Sequence, residues 1–186
     1  MKLYTYPSDF RAFKALIAAQ YAGVSVEVPQ PFTMGVDDKS PEFLAKSPTG
    51  KVPLLETSEG CVFQSNAIAR YVARLRTDAG LFGATFFESA EVDSWIDWSW
   101  NELEVAAVFV TYPILGAMKT NPGTMKKSVE DLKAALKVLN AHLTKKTYMV
   151  GETITLADIV IASTLVYPFS FVMDNAWRKA SPAVTR

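Results

Sequence analysis

The sequence predicts a protein of two domains, a small α/β domain followed by an all-helical domain. Up to about residue 77, β-rich runs alternate with amphipathic helical patterns, which is typical of an α/β layer. From Phe87 onward the strand signals almost vanish, and apolar residues recur every three or four positions, as in packed helices. We therefore assign residues 1–79 to the α/β domain, 80–87 to a linker and 88–186 to the helical domain.

The first domain opens with a predicted strand, helix and second strand. Residues 2–6, K-L-Y-T-Y, are rich in β-forming residues, and residues 24–28, V-S-V-E-V, are β-branched and alternate. Between them, residues 10–21 carry apolar side chains at helical spacing, namely Phe13, Leu16, Ile17 and Tyr21. Gly23 then supplies the expected end of this helix, because glycine adopts the left-handed conformation of a helix C-terminus.

A short helix, two strands and a longer helix complete the domain. Ser40 and Pro41 suit the N-cap and the first position of a helix over residues 40–46. Strands are predicted over 52–55 and 61–63, and the helix that follows has an apolar stripe formed by Ile68, Tyr71, Val72 and Leu75. The order of elements is thus β-α-β, α, β-β-α.

Three long helices are predicted in the second domain. Residues 88–109 place apolar side chains on one face at Val92, Ile96, Trp100, Leu103 and Ala107, with Trp95 and Trp98 broadening it. After the N-P-G sequence at 121–123, a second stripe has members four and three positions apart, at Met125, Val129, Leu132, Leu136, Leu139 and Leu143. The third helix, 156–167, is apolar nearly all round, which predicts the buried centre of a helical bundle.

Two local signals mark the start of the third helix. Thr155 and Asp158 have the spacing of a capping box, and Ile154 and Ile159 occupy the positions of a hydrophobic staple. We assign Thr155 and Asp158 a structural capping role and no contact with substrate. Ser181-Pro182 predicts the start of a further helix close to the end of the sequence, and we expect the polypeptide to be part of a longer, truncated chain.

Composition excludes several classes of site. The chain of 186 residues has one cysteine, Cys61, and one histidine, His142, so internal disulfides and multi-Cys or multi-His metal sites are excluded. Its 19 basic residues equal its 19 acidic ones, which argues against a nucleic-acid-binding surface. No apolar run has the length of a membrane span, and Met1 leads directly into the first strand without room for a signal peptide. We expect a cytoplasmic protein.

Three motifs resemble the cytosolic glutathione transferase family, in the order and approximate spacing of its fold. They are K51-V-P53, Q64-S-N-A-I-A69 and G151-E-T-I-T-L-A-D158. More narrowly, L3-Y-T-Y-P-S-D-F-R-A-F-K-A-L-I-A-A-Q-Y-A-G23, P41-E-F-L44 and S65-N-A-I-A69 resemble the amino-terminal domain of the gamma-subunit family of eukaryotic translation elongation factor 1. The resemblance implies a glutathione S-transferase fold, with a thioredoxin-like domain followed by an all-helical bundle.

The resemblance also implies a thiol-peptide site in the first domain. In that fold the backbone of Val52 faces a bound glutathione and the bond to Pro53 is cis, which proline permits at about 0.5 to 1 kcal/mol. The helix that starts at Gln64-Ser65 offers N–H groups and a hydroxyl to a ligand carboxylate. The implied glutathione-binding residues are Arg11, Lys51, Val52, Pro53, Gln64 and Ser65. Two simpler interpretations stay open, in which Val52-Pro53 is only an element of the fold and Ser65 only caps its helix.

Thiol transfer needs a hydroxyl donor near the end of the first strand, because only the thiolate is a good nucleophile. Ser8 is the candidate catalytic residue, with Tyr4 and Tyr6 as other hydroxyls. The loop that follows the first strand is shorter than in serine-type transferases, and Arg11 is an alternative source of positive charge. The simpler interpretation is that Ser8 or Asp9 caps the following helix.

Other reactive or aromatic side chains are assigned structural roles and no catalytic or binding one. His142 lies late in an amphipathic helix, where its positive form suits the helix dipole. Cys61 alternates with a strand neighbour and is interpreted as a small core residue. The cluster of Trp95, Trp98 and Trp100 is interpreted as packing and not as a binding platform.

Two functions follow from the resemblance. In the first, the chain is a scaffold module that binds the exchange subunits alpha and beta of the elongation factor 1 complex, without obligatory chemistry and with self-association as a homodimer. In the second, it is an active glutathione S-transferase that conjugates glutathione or a related thiol to electrophiles. Neither function calls for a cofactor, a metal, direct nucleic-acid contact or a membrane.

Overall fold

A three-stranded antiparallel sheet organises the first part of the chain. The computed structural model describes residues 1–186, and the chain divides into one unit of residues 1–81 and another of residues 82–186. The strands are β1 (Lys2–Tyr4), β2 (Leu54–Glu56) and β3 (Cys61–Phe63), in the order β1-β2-β3. Leu3, Leu54 and Leu55 are completely buried, so the core of this unit lies directly against the sheet.

The sheet is accompanied by three helices, α1 (Phe10–Ala22), α2 (Pro41–Lys46) and α3 (Ser65–Arg74). Helix α1 ends at Gly23, which adopts the left-handed conformation at φ 63° as predicted. The predicted N-cap of α2 is confirmed, because the Phe43 N–H donates to Ser40 Oγ at 3.2 Å. Helices α1 and α3 pack together and bury small residues that allow a close approach, namely Ala12, Ala15, Ala18 and Ala19 in α1 and Ala69 and Ala73 in α3.

Residues 24–28 do not form the predicted strand. A single parallel bridge joins Glu27 to Lys2. Pro29 and Pro31 follow at once, and since proline has no N–H, a regular ladder cannot continue in that direction. The prediction of a strand over residues 24–28 is therefore wrong, and only Glu27 pairs with β1.

Tyr4 joins the sheet to α2 through an aromatic cluster and an ion pair. Its ring centroid lies 6.4 Å from that of Phe32 and 6.0 Å from that of Phe43. Its hydroxyl donates to Glu56 Oε2 at 2.6 Å, and Lys46 Nζ lies 2.9 Å from Glu56 Oε1. The hydrogen bond from Tyr4 lowers the pKa of the Glu56 carboxyl most, and the hydrogen bond from Lys46 is the second cause. Both stabilise the charged form of the carboxyl.

This network makes stability depend on pH in acid. A carboxyl whose pKa is depressed in the folded state stabilises that state above its unfolded pKa, and the contribution is lost as the pH falls through the folded value. We expect the wild type to lose more free energy of unfolding between about pH 6 and pH 3 than Glu56→Gln, by less than about 1 kcal/mol because the ion pair is partly exposed. Urea unfolding across this pH range measures the difference, and an equal or steeper loss in the variant would contradict the assignment.

The second unit is helical. Its α-helices are α4 (Phe86–Trp98), α5 (Val105–Ile114), α6 (Pro122–Leu143), α7 (Leu156–Phe171), α8 (Asn175–Ala180) and α9 (Pro182–Thr185), and the π-helical segment Ser99–Glu104 connects α4 to α5. Its completely buried side chains include Val92, Ile96, Leu103, Leu132, Leu139 and Val160. No helix is both long and apolar enough to cross a membrane.

Trp100 was predicted to face the core, and this prediction is wrong. It is 40% exposed, and Ser99 is completely buried in its place. Steps of three and four residues between Ile96 and Leu103 allow either residue to face inward, so the spacing alone could not distinguish them. The segment from Ser99 packs against α6 and α7, and a serine permits a closer approach there than a tryptophan ring.

Trp95, Trp98 and His142 form one packed cluster. The Trp95 ring centroid lies 5.3 Å from that of Trp98 and 4.5 Å from that of His142. His142 Nε2 lies 2.8 Å from the carbonyl oxygen of Met149. These contacts support the packing role predicted for Trp95 and Trp98, and they place the His142 ring in the same cluster. Cys61, by contrast, is only half-buried in β3.

The start of α7 is built around Asp158. Thr155 and Asp158 form a capping box, in which Asp158 Oδ2 accepts hydrogen bonds from Thr155 N and Thr155 Oγ1, both at 2.8 Å. Asp158 Oδ1 accepts a third hydrogen bond, from Met149 N at 2.8 Å. The carboxylate therefore fixes the helix start and also the chain that leads into it, which a capping-box spacing does not reveal.

Candidate functional site

The register of the sheet brings three segments of the first unit to one end of it. Tyr4 lies opposite Leu54 on the neighbouring strand, and Leu54 lies opposite Phe63. The chain enters β2 from Val52-Pro53 and leaves β3 into Gln64-Ser65, so these two pairs emerge side by side. The loop after β1 leaves the sheet at the same end. Sequence positions far apart thus meet at one place.

Val52-Pro53 is a cis peptide bond directly before β2. Pro53 is buried and Val52 is half-buried. The strand begins only at Leu54, so Val52 lies outside the ladder between β2 and its neighbours. Backbone groups of such a residue can pair with an extended peptide ligand.

The loop before this bond is held by Ser47, which sequence patterns did not single out. Ser47 Oγ donates to the Lys51 carbonyl oxygen and accepts from the Lys51 N–H, both at 3.3 Å. Gly50 has φ 57°, and a Cβ built there would lie 2.8 Å from Leu44 Cδ2. The turn-forming S-P-T-G sequence was the available signal. A buried serine and a glycine therefore set the position of Lys51 and Val52.

Gln64 has an unusual backbone conformation, with φ 72° and ψ 118°. A positive φ costs a residue other than glycine roughly 1 to 3 kcal/mol, and such residues cluster at functional sites. Gln64, and not Ser65, is the N-cap of α3, and its side chain makes no capping hydrogen bond. Ser65 is the first residue inside the helix and is buried. The interpretation of Ser65 as only an N-cap is therefore wrong.

The first turn of α3 is suited to an anion. The leading N–H groups of a helix have no partner within it, and the helix dipole makes this end positive. The first turn contains no acidic residue that would oppose a ligand carboxylate. Lys51, on the neighbouring segment, is exposed. Ser65 and the N–H groups around it can together accommodate a carboxylate.

Asp9, and not Ser8, caps α1. Its Oδ1 accepts from the Arg11 N–H at 3.0 Å and its Oδ2 from Thr5 Oγ1 at 2.8 Å, with 1% of the residue exposed. Ser8 precedes it at φ 66° and is exposed. The capping interpretation therefore holds for Asp9 and is wrong for Ser8, whose hydroxyl lies in the loop after β1.

Tyr4 is unsuitable as a thiol-activating group. Its hydroxyl donates to Glu56, and this hydrogen bond raises the pKa of Tyr4, which makes the hydroxyl a weaker acid. Arg11 is the second residue of α1, and its guanidinium carbon lies 4.8 Å from the centroid of the Phe10 ring. Among the hydroxyls considered at this end of the sheet, Ser8 is the one that is exposed in the loop.

Comparison with protein families confirms the predicted fold class. Residues 1–74 match the glutathione S-transferase N-terminal domain, and residues 103–186 match the glutathione S-transferase C-terminal domain. Among solved structures, glutathione S-transferase I from maize, in complex with an atrazine glutathione conjugate, has a TM-score of 0.84 and 30% identity, covering 98% of this chain and 87% of that one. Poplar glutathione transferase F1 shares the fold with a TM-score of 0.86 and 20% identity, covering 99% and 89%.

Curated relatives with higher identity are elongation factor 1-gamma proteins. The chain is 46% identical to a probable elongation factor 1-gamma 1 of Arabidopsis thaliana over 99% of its own length and 44% of the relative's. It is 44% identical to elongation factor 1-gamma of Artemia salina over 96% of its own length and 41% of the relative's. The chain thus spans less than half the length of these relatives.

Proposed function

The chain belongs to the glutathione S-transferase family, and we propose that it is the glutathione-S-transferase-like module of an elongation factor 1-gamma. In this proposal it serves as a scaffold for the exchange subunits alpha and beta of that complex. The observation that carries the proposal is the higher identity to elongation factor 1-gamma than to solved transferases, over nearly the whole chain in both cases. Its place of action is the cytoplasm, where translation occurs.

The surface of the helical unit supports association with protein and not with RNA. The chain has no net charge, so it has little electrostatic attraction for a phosphate backbone. Large apolar side chains are exposed instead: Phe86 is 95% exposed, Phe87 73%, Ile114 54% and Phe171 47%. Among the aromatics of α5, Phe109 is exposed and Tyr112 is half-buried. Exposed aromatic and aliphatic side chains of this size are available for contacts with a protein partner.

A binding experiment with purified components tests the scaffold. The immobilised chain is presented with purified exchange subunits alpha and beta at moderate and high salt, with a glutathione S-transferase of the same fold as control. We expect at least one subunit to be retained at high salt, because an apolar interface is not screened by ions. Retention of neither subunit, or equal retention by the control protein, would overturn the scaffold proposal.

A second candidate function, binding of glutathione, is favoured by the geometry at the end of the sheet. The cis Val52-Pro53 bond, the start of α3 at Ser65 and the loop that carries Ser8 converge there. In this proposal Lys51, Val52, Pro53, Gln64 and Ser65 hold the thiol peptide, and Arg11 adds positive charge. Ser8 supplies the hydrogen bond that stabilises the thiolate. Electrophile conjugation is the activity that this arrangement would support.

Ser65→Ala is expected to weaken glutathione binding by about 1 to 2 kcal/mol, because hydrogen bonds to charged groups are worth roughly 1.5 to 3 kcal/mol and a neighbouring N–H or water replaces part of this one. Titration calorimetry of wild type and variant measures the difference. Ser58→Ala, in the exposed turn between β2 and β3, is the matched control and should leave binding unchanged. No heat from the wild type at millimolar glutathione would exclude the site.

Turnover is tested separately with a chromogenic electrophile. If Ser8 stabilises the thiolate, Ser8→Ala should lower the rate of conjugation by about tenfold or more and leave the affinity for glutathione nearly unchanged. The exposed position of Ser8 means that the substitution should not disturb the fold. An unchanged rate in Ser8→Ala would remove Ser8 from the mechanism.

A further inference from the structure

A lysine is buried between the two helices of the first unit that lead to the proposed glutathione site. Lys14 lies in the second turn of α1 and has none of its surface exposed. Its Nζ donates to Asn66 Oδ1 at 2.9 Å. Asn66 is the second residue of α3 and directly follows Ser65. The ammonium group therefore holds the helix turn that contains Ser65, the residue proposed to bind the carboxylate of the ligand.

The first turn of α3 has two buried side chains, Ser65 and Ile68. The buried side chains of α1 are mostly alanines, which allow a close approach between the two helices. The hydrogen bond from Lys14 to Asn66, at one end of the interface, supplies a directional contact that fixes the start of α3. It also relates the start of α3 to α1, whose own first turn holds Arg11.

The choice of residue also indicates a role beyond stability. Lysine is almost never completely buried, since removing an ammonium from water is costly. A methionine at position 14 has a similar length and would fill the space between α1 and α3, but it would give up the directional contact with Asn66.

We propose that Lys14 is a positioning residue for the thiol-peptide site, acting through Asn66 to place Ser65 and the first-turn N–H groups of α3 against the ligand carboxylate. The inference rests on the proposed binding of glutathione. Lys14 itself does not touch the ligand. Its effect is on affinity, because a displaced helix start would lose hydrogen bonds that depend on distance and angle.

Calorimetric titration with reduced glutathione tests the proposal on the whole chain. We expect Lys14→Met and Asn66→Ala each to weaken binding by about tenfold, equivalent to the loss of one hydrogen bond to a charged group, and Lys14→Arg to recover part of the affinity. Val72→Ala, which opens a small cavity in the buried face of α3 away from its first turn, is the control for stability. All titrations are made well below the unfolding temperature of every variant.

A double-mutant cycle separates positioning from a general loss of stability. If Lys14 acts through Ser65, the loss in Lys14→Met/Ser65→Ala should be clearly smaller than the sum of the two single losses. Additive losses, or equal weakening by Val72→Ala, would overturn the positioning role. Should Lys14→Met fail to fold, Asn66→Ala combined with Ser65→Ala gives the same cycle, since Asn66 is only half-buried. Absence of binding by the wild type would instead reject the proposed glutathione site itself.

Discussion

Asp158→Ala is expected to lower the free energy of unfolding by about 3 kcal/mol. The substitution removes the carboxylate half of the capping box with Thr155, an interaction worth about 1 kcal/mol at a typical helix start. It also leaves the N–H of Met149, a residue that is 2% exposed, without its acceptor, and an unsatisfied buried donor costs about 1 to 3 kcal/mol. The two losses act at the start of α7, a helix with many buried side chains, so little relaxation can offset them.

Denaturant unfolding of wild type, Asp158→Ala and Asp158→Asn measures this loss. Asparagine keeps one oxygen acceptor, and its variant should therefore fall between the other two. Glu152→Ala, an exposed carboxylate in the loop before α7, is the control and should change stability by less than about 0.5 kcal/mol. Glutathione affinity should be the same in all four proteins. A variant at Asp158 that kept its midpoint and lost ligand binding would contradict the structural role.

The elements that sequence patterns predicted correctly are those whose cause is local. Gly23 ends α1, Ser40 and Pro41 begin α2, and Thr155 begins α7, each through an interaction that spans only a few residues. Apolar periodicity likewise identified α6 because its buried stripe depends only on the helical repeat. The predicted fold class followed from these local facts together with the motif order.

The predictions that failed depend on neighbours that the local sequence does not show. Residues 24–28 have strand propensity, but the strand also needed donors beyond Val28, where prolines stand. Trp100 fitted the helical stripe, but Ser99 is the residue that is buried where this segment packs against α6 and α7. Propensity and spacing limit which conformations and buried faces a segment can adopt, and tertiary packing selects one of them.

The candidate site was predictable only in part for the same reason. Val52-Pro53 and Gln64-Ser65 could be identified from short motifs, whereas their meeting at one end of the sheet required the register of β1, β2 and β3. The contact between Lys14 and Asn66 spans 52 positions, and no spacing rule connects them. Lys14 alone resembles an ordinary solvated lysine of an amphipathic helix, and its burial appears only when α3 is placed against α1.

The second large effect is expected in α6, where the buried stripe sets the packing of the helical unit. Leu132 is completely buried in the core, with Leu136 and Leu139 on the same face. Leu132→Ala removes about three methylene-sized groups from a completely buried site, and such substitutions cost about 3 kcal/mol. Val138 lies on the same helix but is 46% exposed, so Val138→Ala removes apolar surface that water already reaches. Its cost should stay below about 0.5 kcal/mol.

The contrast between these two variants tests the orientation of α6 more strictly than either value alone. Both substitutions place alanine, the best helix former, in the middle of the helix, so helix propensity changes little or improves in each case. The difference in stability therefore reports burial and cavity formation, and urea unfolding of the two proteins under one set of conditions measures it. Similar losses at Leu132 and Val138 would mean that α6 is rotated or buried all round. A large difference would agree with a solvent-exposed face of α6 at Val138. Such a face is accessible to a protein partner.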